Sequence, residues 1–295
     1  MRLGFAVKVL GEGGLPSHDT RRWRSGPHLR TSLERLRAIL DYLDRSDIRM
    51  YRMATALAPY ASHPEHTQFH HQVAECEAEL AEVGALARRL DVRLSTHPGQ
   101  YTVLNSERAE VRDAAVAELE VQASLLDAMG LGPEAVVVLH VGGGAGGTEA
   151  AADRFLAGFE RLSERARARL VIENDDRIFG AGAVLSLAAR AGLRMVFDVH
   201  HHHCHDPDGI DDREALEGAL ATWPAGETPK VHFSSPRLDI GSDGRLPELR
   251  AHADLIDPIA FRQFLRQTAA GLHFDVMLEA KAKDLALMRL RTHLN

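Results

Sequence analysis

The chain has 295 residues, 45% of them apolar and 26% charged, with a formal net charge of −7 and two cysteines. This composition excludes a disordered, fibrous or disulfide-framed protein and leaves enough apolar material for one core, so we expect a single domain over 1–295. The acidic balance argues at first sight against a nucleic-acid partner; carboxylates buried as ligands or lying on outer helices would not face a polyanion, however, so local charge decides.

The first strand-like run is Leu3–Phe5. It follows Met1-Arg2 with neither an apolar leader nor a span of about 20 apolar residues, and we therefore expect a cytoplasmic protein with no membrane segment. The loop Gly11–Arg30 comes next and carries Arg21, Arg22, Arg24 and Arg30 around Trp23, against Glu12 and Asp19. Basic residues interleaved with an aromatic suit phosphates and a stacked base. Taken alone, the loop reads equally as a solvated segment with Trp23 as its packing anchor.

Strand-like runs then follow at Ile48–Arg52, Val92–Ser95, Val136–Leu139, Leu170–Ile172, Met195–Phe197, Lys230–Phe233 and Val276–Leu278. Their length of about four to eight residues and their Gly, Pro and Asn punctuation favour strand over buried helix. Between them, Ser32–Arg45, Gln68–Leu90, Arg108–Ala128, Glu149–Arg165, Ala183–Ala191, Asp212–Ala221, Pro258–Ala269 and Asp284–Leu290 carry apolar residues at helical spacing. Eight strands alternating with eight helices predict an α/β fold, a (β/α)8 TIM barrel with its chemistry at the C-terminal ends of the strands. A doubly wound sheet would instead gather ligands at one switch point. Of the cysteines, Cys76 falls within a predicted helix and Cys204 in a histidine run.

Metal-ligand residue types recur where these runs end: His97, His140, Glu173, Asp198, His232 and Glu279. Any one of them alone reads as a core histidine or a salt-bridged acid; their joint position at successive strand ends points to a metal site. Imidazole and carboxylate without thiolate suit Mn²⁺, Mg²⁺, Fe²⁺ or Zn²⁺, and a set this large exceeds the three or four protein ligands of one ion. Two or three ions close together are the usual apparatus for phosphodiester hydrolysis. In the run His200-His201-His202-His203-Cys204-His205, strand alternation from Asp198 selects His200, whereas a bend at the strand end leaves His201 open. Lys230, two residues before His232, shares its strand face. An ammonium beside metal cations is disfavoured, and a neutral amine there would add CO₂ to give a carbamate. The competing reading is a protonated lysine paired with Glu279 or holding a phosphate.

Thr96-His97-Pro98-Gly99-Gln100-Tyr101, Leu170-Val171-Ile172-Glu173-Asn174-Asp175, Phe197-Asp198-Val199-His200-His201, Lys230-Val231-His232-Phe233-Ser234-Ser235, His252-Ala253-Asp254 and Met277-Leu278-Glu279-Ala280-Lys281-Ala282-Lys283-Asp284 resemble the UV damage endonucleases. The resemblance runs from Arg2-Leu3-Gly4 to the last helix. It implies a TIM barrel with a trinuclear, manganese-preferring centre, for which Zn, Mg or Co are possible substitutes, acting on damaged double-stranded DNA and incising immediately 5′ to the lesion.

Carried over by motif, the ligands fall on His97, His140, Glu173, Asp198, His201, His232, His252 and Glu279. This selects His201 over His200 and adds His252, from the long loop Ser234–Asp257, which strand-end logic misses. Glu173, Lys230 and Glu279 become the catalytic candidates, and a carboxylated Lys230 is supported. Gln100 and Tyr101 match the pair that such enzymes insert at the damage; a planar amide and an aromatic ring can fill a gap in the stack. Phe5 stands where relatives usually carry Tyr and Val9 where they carry Asn, so a stacking face is kept while two polar groups are lost. Phe5, Gln100, Tyr101, Arg21 and Trp23 make up the DNA- and lesion-binding set that the resemblance implies. An apurinic endonuclease of the three-zinc barrel type would share the ligands but replace the Gln100-Tyr101 pair. A sugar isomerase or a non-catalytic metal-binding barrel would share only the fold.

Overall fold

A computed structural model describes residues 1–240 and 244–294. Gly241, Ser242 and Asp243, inside the loop Ser234–Asp257, and Asn295, the last residue of the expected domain, lie outside the described residues.

The strands are β1 (Leu3–Ala6), β2 (Met50–Arg52), β3 (Arg93–Ser95), β4 (Val137–His140), β5 (Leu170–Glu173), β6 (Arg194–Asp198), β7 (Lys230–Phe233) and β8 (Asp275–Leu278). They form one eight-stranded sheet in the order β3-β2-β1-β8-β7-β6-β5-β4. Its two end strands meet through the parallel bridge Thr96↔Val137, where the Thr96 amide donates to Val136 O at 3.1 Å and the Val138 amide to Thr96 O at 3.0 Å. The fold is thus the expected (β/α)8 barrel. Strands β5, β6, β7 and β8 are buried along their whole length, which is why they read as unbroken apolar runs and not as alternation.

The helices are α1 (Leu29–Arg45), α2 (Gln72–Glu75), α3 (Glu77–Arg89), α4 (Ala109–Ala128), α5 (Thr148–Phe159), α6 (Glu164–Arg169), α7 (Ala181–Ala191), α8 (Val199–Cys204), α9 (Asp212–Ala221), α10 (Pro258–Gln263) and α11 (Lys283–Leu294). Three expectations need correction. The helix expected over Gln68–Leu90 is broken at buried Cys76, which separates α2 from α3. Glu149–Arg165 splits because Ser163 caps a new helix, accepting a hydrogen bond from the Ala166 amide. Pro258–Ala269 begins at a proline after the Asp257 cap but passes into a π turn over Phe264–Thr268. Among the described residues no helix is long and apolar enough to cross a membrane.

By internal contacts the chain divides into two compact units, Met1–Ala6 with Ile172–Asn295, and Val7–Val171. The first holds the tips of β5 to β8; the second holds those of β2, β3 and β4.

Candidate metal centre

In the first unit, Asp198, His232 and Glu279 each present a ligand atom within 4.8 Å of the others. Asp198 and His232 are fully buried, and Asp198 Oδ2 is a buried atom that receives no hydrogen bond. A buried carboxylate oxygen left this way is costly unless a cation completes it. Glu173, also fully buried, lies 2.9 Å from His232 Nδ1 and 3.5 Å from His201 Nδ1, and Glu279 Oε1 is 3.4 Å from His232 Nδ1. Anionic oxygens and imidazoles packed this tightly away from water match the donor set of hard or borderline divalent ions.

The histidine run is resolved by helix, not by strand. Asp198 ends β6 and caps α8, its Oδ1 accepting from the His201 amide at 2.8 Å, so the three-residue step of a helical turn brings His201 back over Asp198. Alternation, which favoured His200, is overturned: His200 Nε2 donates to Arg250 O at 3.2 Å. His202 Nε2 donates to Ile210 O at 3.0 Å, and His203 Nε2 lies 2.8 Å from Asp212.

His201 donates Nδ1–H to Asn174 O at 2.9 Å, and His252 donates Nδ1–H to Glu279 O at 2.7 Å. A carbonyl can only accept, so Nδ1 keeps its proton and Nε2 is the nitrogen left to face an ion, which is how metal-bound histidines are fixed. Burial works against charge on His201, but Asp198, Glu173 and Glu279 outweigh it and raise its pKa to about 9. The carboxylates therefore hold a positive charge, here a proton, where an ion would serve.

His252 reaches this place from the loop because the loop's base is a two-stranded ribbon. Pro236 bridges His252, with Arg237 N donating to Ala251 O at 2.7 Å and Ala253 N to Ser235 O at 2.9 Å. Lys281 N to Ala253 O at 3.0 Å ties that ribbon to the segment after Glu279. Asn174, which the sequence reading left without a role, joins two strand tips: its side-chain amide donates to Asp198 O and its Oδ1 accepts from Asp198 N, both at 2.9 Å. Its place between Glu173 and the turn-forming Asp175 was the available signal. Lys230 is fully buried on β7.

In the second unit, His97 follows β3 and His140 ends β4, with ring centroids 5.1 Å apart. His97 donates Nδ1–H to Pro98 O at 3.1 Å. After His140 the chain turns at Gly142, where φ is +113° and an added Cβ would lie 2.4 Å from Asn105 Oδ1. Asn105 in turn holds Gly143 by both main-chain groups, at 2.7 and 3.1 Å, which fixes the exit from β4.

Gln100 and Tyr101 occupy the centre of a turn closed by Thr102 N donating to Gly99 O at 3.0 Å, and Tyr101 is 84% exposed. Trp23, 40% exposed, stacks on His66 with centroids 4.9 Å apart. Arg21 is held by Asp19, whose buried carboxyl its hydrogen bonds keep well below the usual range, so this guanidinium is engaged inside the loop; Arg22 and Arg24 form no ion pair among the described residues. Phe5, as part of β1, is fully buried in the first unit, and Val9 is buried as well.

The model of the UV-endonuclease UvdE family matches residues 27–295. A UV DNA damage endonuclease of Bacillus cereus (strain G9842) is 33% identical over 267 residues, covering 89% of this chain and 80% of that protein. One of Bacillus velezensis is 33% identical over 259 residues, covering 85% and 76%. The crystal structure of SacUVDE superposes with a TM-score of 0.86 at 30% identity, over 100% of this chain and 98% of that one. A D-psicose 3-epimerase from Clostridium cellulolyticum H10, at 12% identity and a TM-score of 0.57 over 95% and 85%, shares the fold alone.

Proposed function

The chain belongs to the UV-endonuclease UvdE family, and from that premise we propose that it is a metal-dependent DNA repair endonuclease, acting on damaged double-stranded DNA and incising the backbone immediately 5′ to UV photolesions and other helix-distorting damage. One barrel domain over 1–295 carries the activity: one of the two unit boundaries falls inside barrel strand β5 and not in a linker.

The observation that carries the reading is the buried cluster Asp198, His232 and Glu279, with Asp198 Oδ2 unsatisfied and His201 and His252 presenting Nε2. We assign the ligands to His97, His140, Glu173, Asp198, His201, His232, His252 and Glu279, and the ions to Mn²⁺, three in number, with Zn, Mg or Co as substitutes. Bound ions would supply an activated water and neutralise the leaving oxygen. The protein's own share is to fix the carboxylates, through Asn174 and the Asp198 cap, and to keep the cluster dry. Tyr101 and Gln100, held up on their turn, enter the stack where damage has weakened it, while Trp23 with Arg22 and Arg24 meets the duplex at the rim.

Lys230 is proposed as a carboxylysine: the neutral Nζ adds CO₂ and releases a proton, leaving an anion on a buried face shared with His232. Density beyond Nζ in crystals grown at neutral or higher pH checks it; an unmodified lysine there returns Lys230 to a structural or phosphate-binding role. The functional test is nicking of UV-irradiated supercoiled DNA by protein reconstituted with Mn²⁺, with metal analysis alongside. Less than one ion per chain would sink the multinuclear centre, and equal nicking of unirradiated DNA would sink the damage specificity.

A further inference from the structure

The second unit holds a cavity of about 620 Å³ beside the Gly99–Thr102 turn, a size typical of sites for small planar ligands. Tyr60, His63, Tyr101, Thr102, His18 and Arg21 are among the residues that line it. His63 is the end of a column of rings. It stacks on His66 with centroids 4.3 Å apart and planes 24° apart, and His66 stacks on Trp23 at 4.9 Å and 28°. Arg24 lies over the Trp23 ring at 5.0 Å. Tyr60 meets His63 and His66 edge-on at 6.1 and 5.4 Å and leans on buried Phe69 at 5.4 Å. Tyr60 also holds a left-handed backbone, φ 60°, strained for a residue with a side chain.

A column made for packing alone would be covered. Here Trp23, His63 and His66 are all partly exposed, and His63 and Tyr60 both line the cavity. Tyr101, which lines the same cavity, is the residue read above as entering the helix. A phenol ring inserted at a weakened base step crowds the bases there, and a base that leaves the stack loses its stacking partners unless another flat surface receives it.

We propose that this cavity is a nucleobase site: it takes one base displaced from the duplex by Tyr101 and stacks it against His63 and Tyr60, with His66 and Trp23 backing the platform. The inference rests on the reading of the protein as a damaged-DNA endonuclease. Base–ring stacking tolerates any base identity, so the site adds affinity for an opened duplex without reading sequence.

The test uses Mn²⁺-reconstituted full-length protein and two probes, a duplex bearing one cyclobutane pyrimidine dimer and its undamaged counterpart. His63→Ala should weaken binding of the dimer duplex roughly 5- to 150-fold and leave binding of the undamaged duplex and metal content unchanged; His63→Phe, which keeps a stacking face, should restore it. In a Tyr101→Ala background His63→Ala should have no further effect, because no base has been displaced. Equal weakening on both duplexes, failure of the Phe variant to restore binding while it unfolds at the wild-type temperature, or independent effects of the two alanines would each overturn the nucleobase site. If the wild-type protein itself does not distinguish the two duplexes, the functional reading falls first.

Discussion

Histidine is used in opposite ways at the tips of β5 to β8 and on the rim of the other unit. His201 and His252 are fixed by their edges, each with Nδ1–H on a main-chain carbonyl so that the Nε2 lone pair is aimed. His63 and His66 are engaged by their faces, stacked on one another and on Trp23. The edge of an imidazole is a ligand and its face is a stacking surface, and hydrogen bonding decides which is offered. The two regions should therefore fail separately: damage to the first should abolish cutting and spare binding, and damage to the second should blunt selection and spare the metal.

The sharpest way to break that division is at the carboxylates. Glu173→Ala or Glu279→Ala should lower nicking by roughly 10³-fold or more, about 4 kcal/mol of transition-state stabilisation, while binding to dimer-containing duplex stays near wild type because phosphate contacts lie elsewhere. A gel-shift assay and a plasmid-nicking assay on the same preparation suffice. A mutant that cuts at the wild-type rate removes that glutamate from the ligand set.

On the other side of the comparison, Gln100→Ala with Tyr101→Ala should reduce discrimination between damaged and undamaged duplex by roughly 5- to 150-fold with metal content unchanged. Competition binding measures this. Unaltered discrimination would mean that the exposed turn serves something other than lesion recognition.

Asn174→Ala sharpens the comparison from within the first region. Asn174 touches no proposed ligand atom; it joins the ends of β5 and β6 through the Asp198 main chain and gives its own carbonyl to His201. Loss of such outer support typically weakens metal affinity or activity by about 10- to 100-fold, and excess Mn²⁺ should recover most of the rate. Isothermal titration with Mn²⁺ reads the affinity. A loss of rate that excess metal leaves untouched would instead place Asn174 in the chemistry.

What could be read in advance follows from how each residue reaches its place. Glu173, Asp198, His232 and Glu279 lie at or just after the ends of β5 to β8, and His97 and His140 at or just after the ends of β3 and β4, positions that a run of apolar residues followed by a polar one marks in the local sequence. His201 needed the knowledge that β6 passes directly into helix α8, a change of period that four consecutive histidines conceal. His252 stands far from any strand and is delivered by a ribbon paired across the Pro236–His252 bridge, a contact with no local signature. The burial of Phe5 was concealed for the converse reason, since an aromatic at a strand tip suits solvent and core equally. The His63–His66–Trp23 column joins segments some forty residues apart in sequence, and no spacing rule connects them.

A pH dependence tests whether the acidic cluster waits for a cation. In metal-free protein, burial opposes charge on His201 but the three carboxylates prevail, and its pKa rises from 6.5 to about 9. A folded-state value above the unfolded one means that this group's stabilisation is fully present below about pH 6.5 and is lost as pH rises through about 9. A ligand ring must be neutral, so metal uptake expels that proton, and Mn²⁺ affinity should climb by up to about tenfold per pH unit between roughly pH 7 and 9, then level off. Thermal unfolding in EDTA and in saturating Mn²⁺ should accordingly diverge with rising pH: the metal-free protein loses the His201 contribution, whereas the loaded protein, with an ion in place of the proton, does not. Parallel pH profiles in the two conditions would separate His201 from metal binding and leave it a buried cation that the carboxylates hold for structural reasons alone.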